Sequence, residues 1–393
     1  MSQAVKQGML ATIDAASEQL LGVSHTLHSH PELAWNEYES SALLASNLQD
    51  SGFTVERGSC DLPTAFVASV GSGDLCVAIC AEYDALPGMG HACGHNIIAA
   101  AALGAAKGLA PFVDELGITL KIIGTPAEEG GGGKIFLLER GAFDGVDLAM
   151  MIHPGPVDVA RAEPFAVSHV SVAYHGHAAH AAAYPDEGVN AADAFTVAQV
   201  AIGLLRQQLP NSVRVHGLVT KGGEAPNAIP EETEGRWYVR ANSLAELETI
   251  EPSVRRCFEA GAMATGTTLT IEEESPRYAE FVNDDTLLGL FVDNAHVRGR
   301  SFGDPGPAGR MNRASTDMGN VSSVIPSIHP YLGIDSLPAL NHQKEFAAHC
   351  VSEAADKAVL DGATLMAWTV ADVATSDELR EHYRSKDRTN NSR

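Results

Sequence analysis

Apolar residues recur at helical spacing near the start of the chain, with Leu20 and Leu27 in one segment and Leu44 and Leu48 in the next. Gly52 follows the second segment and fits the left-handed position that ends a helix. The pattern then changes. Phe66 to Val70 and Leu75 to Ala81 are short apolar runs parted by Gly71-Ser72-Gly73, and they predict two strands. Asn96 to Leu109 is rich in alanine and predicts a helix. Apolar strands follow at Ile118 to Ile123 and at Asp147 to Ile152. Helices alternating with near-continuous apolar strands imply an α/β fold with a mainly parallel sheet.

Beyond Pro164 the character shifts. Phe165 to Tyr174 alternates as a strand, Asn190 to Leu209 predicts a helix, and Val213 to Val219 and Glu232 to Arg240 predict two more strands. A helix starts at Ser243, where Ser243 and Glu246 form a candidate capping box, and Thr268 to Glu273 is a last strand. The order β-α-β-β-α-β describes a ferredoxin-like unit. Two domains are therefore expected, one of residues 1–165 with 276–393 and one of residues 166–275 inserted into it. The segment from Ser376 to Arg393 is polar and charged and is expected to fray.

Composition narrows the class. The 393 residues are 45% hydrophobic and 19% charged, as in a globular protein. Lys and Arg number 26 against 50 Asp and Glu, a formal net charge of −24. Such a surface repels phosphate backbones and anionic lipid, so neither nucleic acid nor a membrane is an expected partner. No apolar run reaches the roughly 18–20 residues of a membrane span. The first residues lack a continuous apolar core like that of a secretory signal, so the expected compartment is the cytoplasm. The six cysteines show no disulfide-framework spacing.

Three groups of candidate ligands follow predicted strands. Cys93 and His95 come after the strand ending at Ala81, Glu128 and Glu129 after the strand ending at Ile123, and His153 after the strand ending at Ile152. The carboxyl edge of an open parallel sheet is where ligands collect. Thiolate, imidazole and carboxylate together suit zinc or a neighbouring first-row ion. Paired glutamates allow one to ligate and the other to act as a general base. Singly, each feature has a plainer explanation: a core cysteine, a solvated turn before four glycines, a capping histidine. Gly130 to Gly133 and Lys134 do not make a phosphate loop, because Ile135 stands where Ser or Thr is required.

At these residues the chain resembles the M20 family of metallopeptidases and amidohydrolases, in its branch of aminoacylases, aminobenzoyl-glutamate hydrolases and auxin-conjugate hydrolases. The matching runs are Ala81-Glu82-Tyr83-Asp84-Ala85-Leu86-Pro87, His91-Ala92-Cys93-Gly94-His95 and Pro126-Ala127-Glu128-Glu129-Gly130. The likeness extends from His30-Pro31-Glu32-Leu33 to Asn341-His342-Gln343-Lys344-Glu345-Phe346. The resemblance implies two divalent metal ions, zinc or else manganese or cobalt. It implies Cys93, His95, Glu129, His153 and His342 as their ligands and Glu128 as general base. His329 is a rival for the last ligand and is otherwise assigned to the substrate pocket. The inserted domain resembles the family's lid and dimerisation domain, with His180 acting at the scissile carbonyl, often from a partner subunit. Asn227 and Arg240 would bind a substrate carboxylate, which the planar guanidinium fork suits. An ion pair on the lid is the plainer role for Arg240. Asn96 and Glu82 stand where the branch commonly has Asp, and both are assigned to positions that orient ligands.

The expected activity is hydrolysis of an amide in an N-acyl amino acid, an aminobenzoyl-glutamate-like conjugate or a dipeptide, by a homodimer whose lid hinges near Pro164 and Pro276. A dipeptidase or carboxypeptidase of the same family is the near alternative. Two rivals come from other classes: a thiol hydrolase with Cys93 as nucleophile and His95 as base, and a non-catalytic binding protein.

Overall fold

The structure, a computed structural model, describes residues 2–385. Its contacts divide the chain into two units. The first runs to Pro164 and resumes at Phe281; the second is Phe165–Glu280. The second unit ends later than Pro276 because Tyr278 exchanges backbone bonds with Val167 and Glu280 accepts from Leu244 N–H.

In chain order the first unit forms β1 (Thr54–Arg57), β2 (Phe66–Val70), β3 (Leu75–Ala81), β4 (Ile118–Gly124), β5 (Leu148–Met150) and β6 (His153–Gly155). The second unit forms β7 (Ala166–His175), β8 (Arg214–Lys221), β9 (Glu232–Ala241) and β10 (Thr268–Glu273). Back in the first unit come β11 (Ser327–Ile328) and β12 (Tyr331–Gly333).

The main sheet has the order β1-β2-β4-β3-β5-β11. β4, β3, β5 and β11 run parallel, while β1 and β2 join antiparallel at one edge. β2 and β3 are thus not a hairpin: β4 lies between them, and each pairs with it along its backbone. The connection from β3 passes to one side for β4 and then back across to the other for β5. That reversal makes the carboxyl end of β3 a switch point, where loops splay apart and leave a crevice. β6 and β12 form a small parallel pair beside it.

The helix His95–Leu109 is buried on nearly every face, because Ala and Gly let its neighbours approach closely. A Cβ at Gly104 would lie 2.6 Å from Ala363 Cβ, on the long helix Glu353–Thr375. The stretch His95–Leu116 is long and apolar enough by composition to cross a membrane, contrary to the expectation that no run is. It is mostly buried in the core of this unit. The expected fraying from Ser376 is also corrected. Asp377–Ser385 is a helix, Tyr383 is buried, and its hydroxyl donates to Asp284 Oδ1 at 2.7 Å. Residues 386–393, the rest of that expectation, lie outside the described residues.

The second unit has the antiparallel order β10-β7-β9-β8, the ferredoxin-like arrangement. Its helices Ala191–Leu205 and Leu244–Thr265 are capped by Asn190 and Ser243 side chains. Glu246 completes only half of a capping box, since it accepts from Asn242 N–H and not from Ser243 N–H. In its core Phe195 stacks on Trp237, which meets Phe258 edge to face.

Candidate metal centre

Each parallel strand delivers chemistry at its carboxyl end. Glu82 and Asp84 follow β3, Glu128 and Glu129 follow β4, His153 opens β6 just beyond β5, and His329 follows β11. His95 is the first residue of its helix, after Gly94 at φ +86°. A side chain at Gly94 would be strained at that φ, and its Cβ would meet Pro154 Cγ at 2.4 Å. The turn before Glu128 is left-handed at Ala127, φ +57°. Buried Glu37 holds it there, accepting Ala127 N–H at 2.8 Å and the Thr64 hydroxyl at 2.9 Å. His342 is also left-handed, φ +66°, and its N–H donates to Ala92 O.

The donors converge in three groups: one is Glu82, His95 and Glu128, and the other two share one atom. Sγ of Cys93 gathers with His95 and His153, and also with Glu129 and His342, ligand atoms within 4.8 Å of one another in each group. Cys93 Sγ lies 3.5 Å from His153 Nε2, and His342 Nε2 lies 3.3 Å from Glu129 Oε1. Two donors on one tetrahedral zinc, at bond lengths near 2.0–2.3 Å, sit about 3.3–3.6 Å apart. Both spacings match. Buried His95 Nε2 and Glu129 Oε1 have no hydrogen-bond partner, which a resident cation would supply. The residues therefore fit divalent metal ions, which would be held by two groups that both include Cys93.

The second ring nitrogens are fixed. His153 Nδ1 donates to Pro154 O at 2.8 Å, which leaves the Nε2 lone pair toward Cys93. Burial, then neighbouring His329, lowers the His153 pKa to about 3 and keeps it neutral. His95 Nδ1 lies 2.9 Å from Asp84 Oδ1. Burial, then the charges of Glu82 and Glu129, raises the Glu128 carboxyl well above the usual range.

His342 joins a candidate ligand group and its rival His329 joins none. His329 is buried and stacks on His153 at 5.5 Å, its pKa lowered to about 4 chiefly by burial. Asn96 does not orient a ligand. Its amide donates to Ser24 Oγ and Cys350 O, bracing neighbouring segments, and Asp84 orients His95 instead. Sequence reasoning also passed over Lys134 and Asp317. Lys134 Nζ is buried and donates to Glu82 Oε1 at 2.6 Å and Asp317 Oδ1 at 2.7 Å. The glycine run before it is a turn, as expected. The only signal for Lys134 was a lone cation opening the apolar helix Gly133–Glu139.

The thiol reading loses support here. His95 is turned toward Asp84, Glu82 and Glu128. Burial, then Glu129 and Glu128, pushes the Cys93 thiol up, opposite to what a free nucleophile needs.

In the second unit, His180 and Asn227 come from distant motifs but meet locally: Ala181 N–H donates to Asn227 O at 2.9 Å, and His180 bridges Ala228. His180 Nδ1 accepts from Ala182 and Ala183 N–H and its ring is exposed. Arg240 lies on β9 with Nε 3.2 Å from His216 Nε2.

Comparison with known proteins gives the family and the fold. The profile of peptidase family M20/M25/M40 matches residues 78–365. The Xaa-Arg dipeptidase of Mus musculus is 38% identical over 97% of this chain and 92% of its own length. One component of the Escherichia coli p-aminobenzoyl-glutamate hydrolase is 33% identical over 65% of this chain and 58% of its own. A dinuclear metal-binding M20 peptidase structure from Bacillus subtilis superposes with a TM-score of 0.67 at 22% identity, covering 92% of this chain and 99% of that one.

Proposed function

The chain belongs to peptidase family M20/M25/M40 and is a hydrolase of amide bonds, and we propose that it is a dinuclear dipeptidase whose substrates end in a basic residue. One observation carries the reading: Cys93 is shared by two ligand groups, with Glu128 beside them. Bound divalent ions, zinc or else manganese or cobalt, would be held by Cys93, His95, His153, Glu129 and His342. They would supply a water acidified from a pKa of about 15.7 toward roughly 7. Glu128 takes the proton of the attacking water and hands it to the leaving amine. His180 is the proposed donor to the oxyanion, and Asn227 and Arg240 the proposed grip on the substrate carboxylate. Their support is the local pairing of the His180 and Asn227 segments and the guanidinium chemistry of Arg240. His329 is proposed to line the pocket from beside His153.

The basic-residue preference rests on the 38% identical Xaa-Arg dipeptidase and on the chain's charge of −24, which draws cationic substrates. N-acyl amino acids and aminobenzoyl-glutamate-like conjugates are the other candidates within the family. A homodimer is supported by β8, an edge strand bearing exposed Leu218, and by exposed Val200 and Leu204 on the adjoining helix. Cytoplasmic placement is supported by six free cysteines. The test is a hydrolysis panel of Xaa-Arg, Xaa-Lys and Xaa-Glu dipeptides and N-acyl amino acids, with added Zn²⁺, Mn²⁺ or Co²⁺ and with EDTA. Cleavage of the basic dipeptides that EDTA abolishes is expected; preference for acidic or acylated substrates would overturn the substrate, and activity that survives EDTA would overturn the metals.

A further inference from the structure

Glu82 is buried at 0% exposure, with its two oxygens in different circumstances. Oε1 receives Lys134 Nζ at 2.6 Å. Oε2 has no hydrogen-bond partner and lies 3.4 Å from His95 Nε2, itself without one. A buried carboxylate oxygen left unpaired costs several kcal/mol unless something else meets it. The two orphaned atoms face each other at the spacing of two donors on one zinc, about 3.4 Å. Glu128 Oε2 stands farther off, 3.9 Å from the same nitrogen, and completes a group of candidate donors with Glu82 and His95.

We propose that Glu82 is a sixth donor of the centre, ligating the ion on the His95 side through Oε2, with Lys134 and Asp317 as the device that holds it there. Lys134 binds the far oxygen, and Asp317 fixes Lys134 twice, through Nζ at 2.7 Å and backbone N–H at 2.9 Å. All three side chains are essentially excluded from solvent, so the arrangement is rigid. The length of Glu matters: one carboxylate must reach Lys134 with one oxygen and the ion with the other. Lys134 also supplies a permanent positive charge, which keeps the carboxylates assembled before any ion arrives.

This inference rests on the dinuclear reading above, and zinc titration of metal-stripped protein by calorimetry separates the two. Wild type should bind two ions; fewer would sink the dinuclear reading itself. With two bound, Glu82→Gln should weaken one ion about 10- to 100-fold and leave the other unchanged. Glu82→Asp keeps the charge but retracts the donor, and should weaken the same ion. Wild-type affinity in both variants, or in Glu82→Asp alone, would show that Glu82 does not ligate. Should either variant fail to fold, the zinc-loaded wild-type crystal structure decides. An Oε2–ion distance near 2.0–2.2 Å is expected, and one beyond about 3 Å overturns the proposal.

Discussion

Asp84 Oδ1 lies 2.9 Å from His95 Nδ1, and the other oxygen of the same carboxylate accepts the Glu129 N–H at 2.9 Å. One buried side chain thus contacts a donor of each of the two groups that include Cys93. Asp84→Asn keeps the shape but weakens both bonds. Metal affinity should fall about 10- to 100-fold for both ions together, measured by calorimetric titration of the stripped protein. Loss confined to one ion would show that Asp84 serves only His95.

Glu128→Gln should keep both metals: Glu128 joins His95 and Glu82 in a group of possible donors, but its oxygen lies 3.9 Å from His95 Nε2 where Glu82 Oε2 lies at 3.4 Å. Turnover should drop by about 10²- to 10⁴-fold, the worth of a positioned general base. Steady-state rates alongside elemental analysis test this; a variant that loses metal in proportion to activity would make Glu128 a ligand.

Subunit mixing tests where His180 acts. Glu128→Ala and His180→Ala proteins are each expected to be inactive, and a mixture that exchanges subunits should regain up to about a quarter of wild-type activity if the histidine serves the partner's site. No recovery, with exchange verified by mass, would place its action within one chain.

Glu37 gives a pH signature. Burial, then the charge of Asp84, raises its pKa from 4.5 to about 7. The folded state therefore favours the protonated acid. Its stabilising share is full below about pH 4.5 and is lost as pH rises through 7. Glu37→Gln mimics the protonated form and lacks this dependence. The melting temperature of wild type relative to the variant should decline between about pH 5 and pH 8. A constant difference across that range would mean the group does not titrate there.

Strands β2 and β3 were legible to the residue because dense apolar runs end at glycine or charge, and β10 because Leu269 and Ile271 alternate with polar residues. The pairing of β2 and β3 with β4 was not, since adjacency along the chain says nothing of which strand later slides between two others. β1 was missed because its short polar sequence carries no alternation. The ligand set was readable once its members stood together at strand ends. Glu37, Asp84, Lys134 and Asp317 were not, because a charge in sequence looks solvated until its partner is known. Lys134 meets Asp317 across 183 positions, and Glu37 meets Ala127 across 90.

The insertion of Phe165–Glu280 into the first unit has a consequence for biogenesis. A ribosome releases the chain from its amino end, so the inserted unit emerges whole and can close its own four-stranded sheet. At that moment β5 still lacks its neighbour β11, and His342 has yet to be made. Cys93 and Glu129 are synthesised early, so the nascent protein carries an open, thiol-bearing half-site for as long as the insert takes to translate. The Cys93, His95 and His153 group is complete in sequence before the insert is made, whereas the Cys93, Glu129 and His342 group waits for the last part of synthesis, when the final histidine arrives.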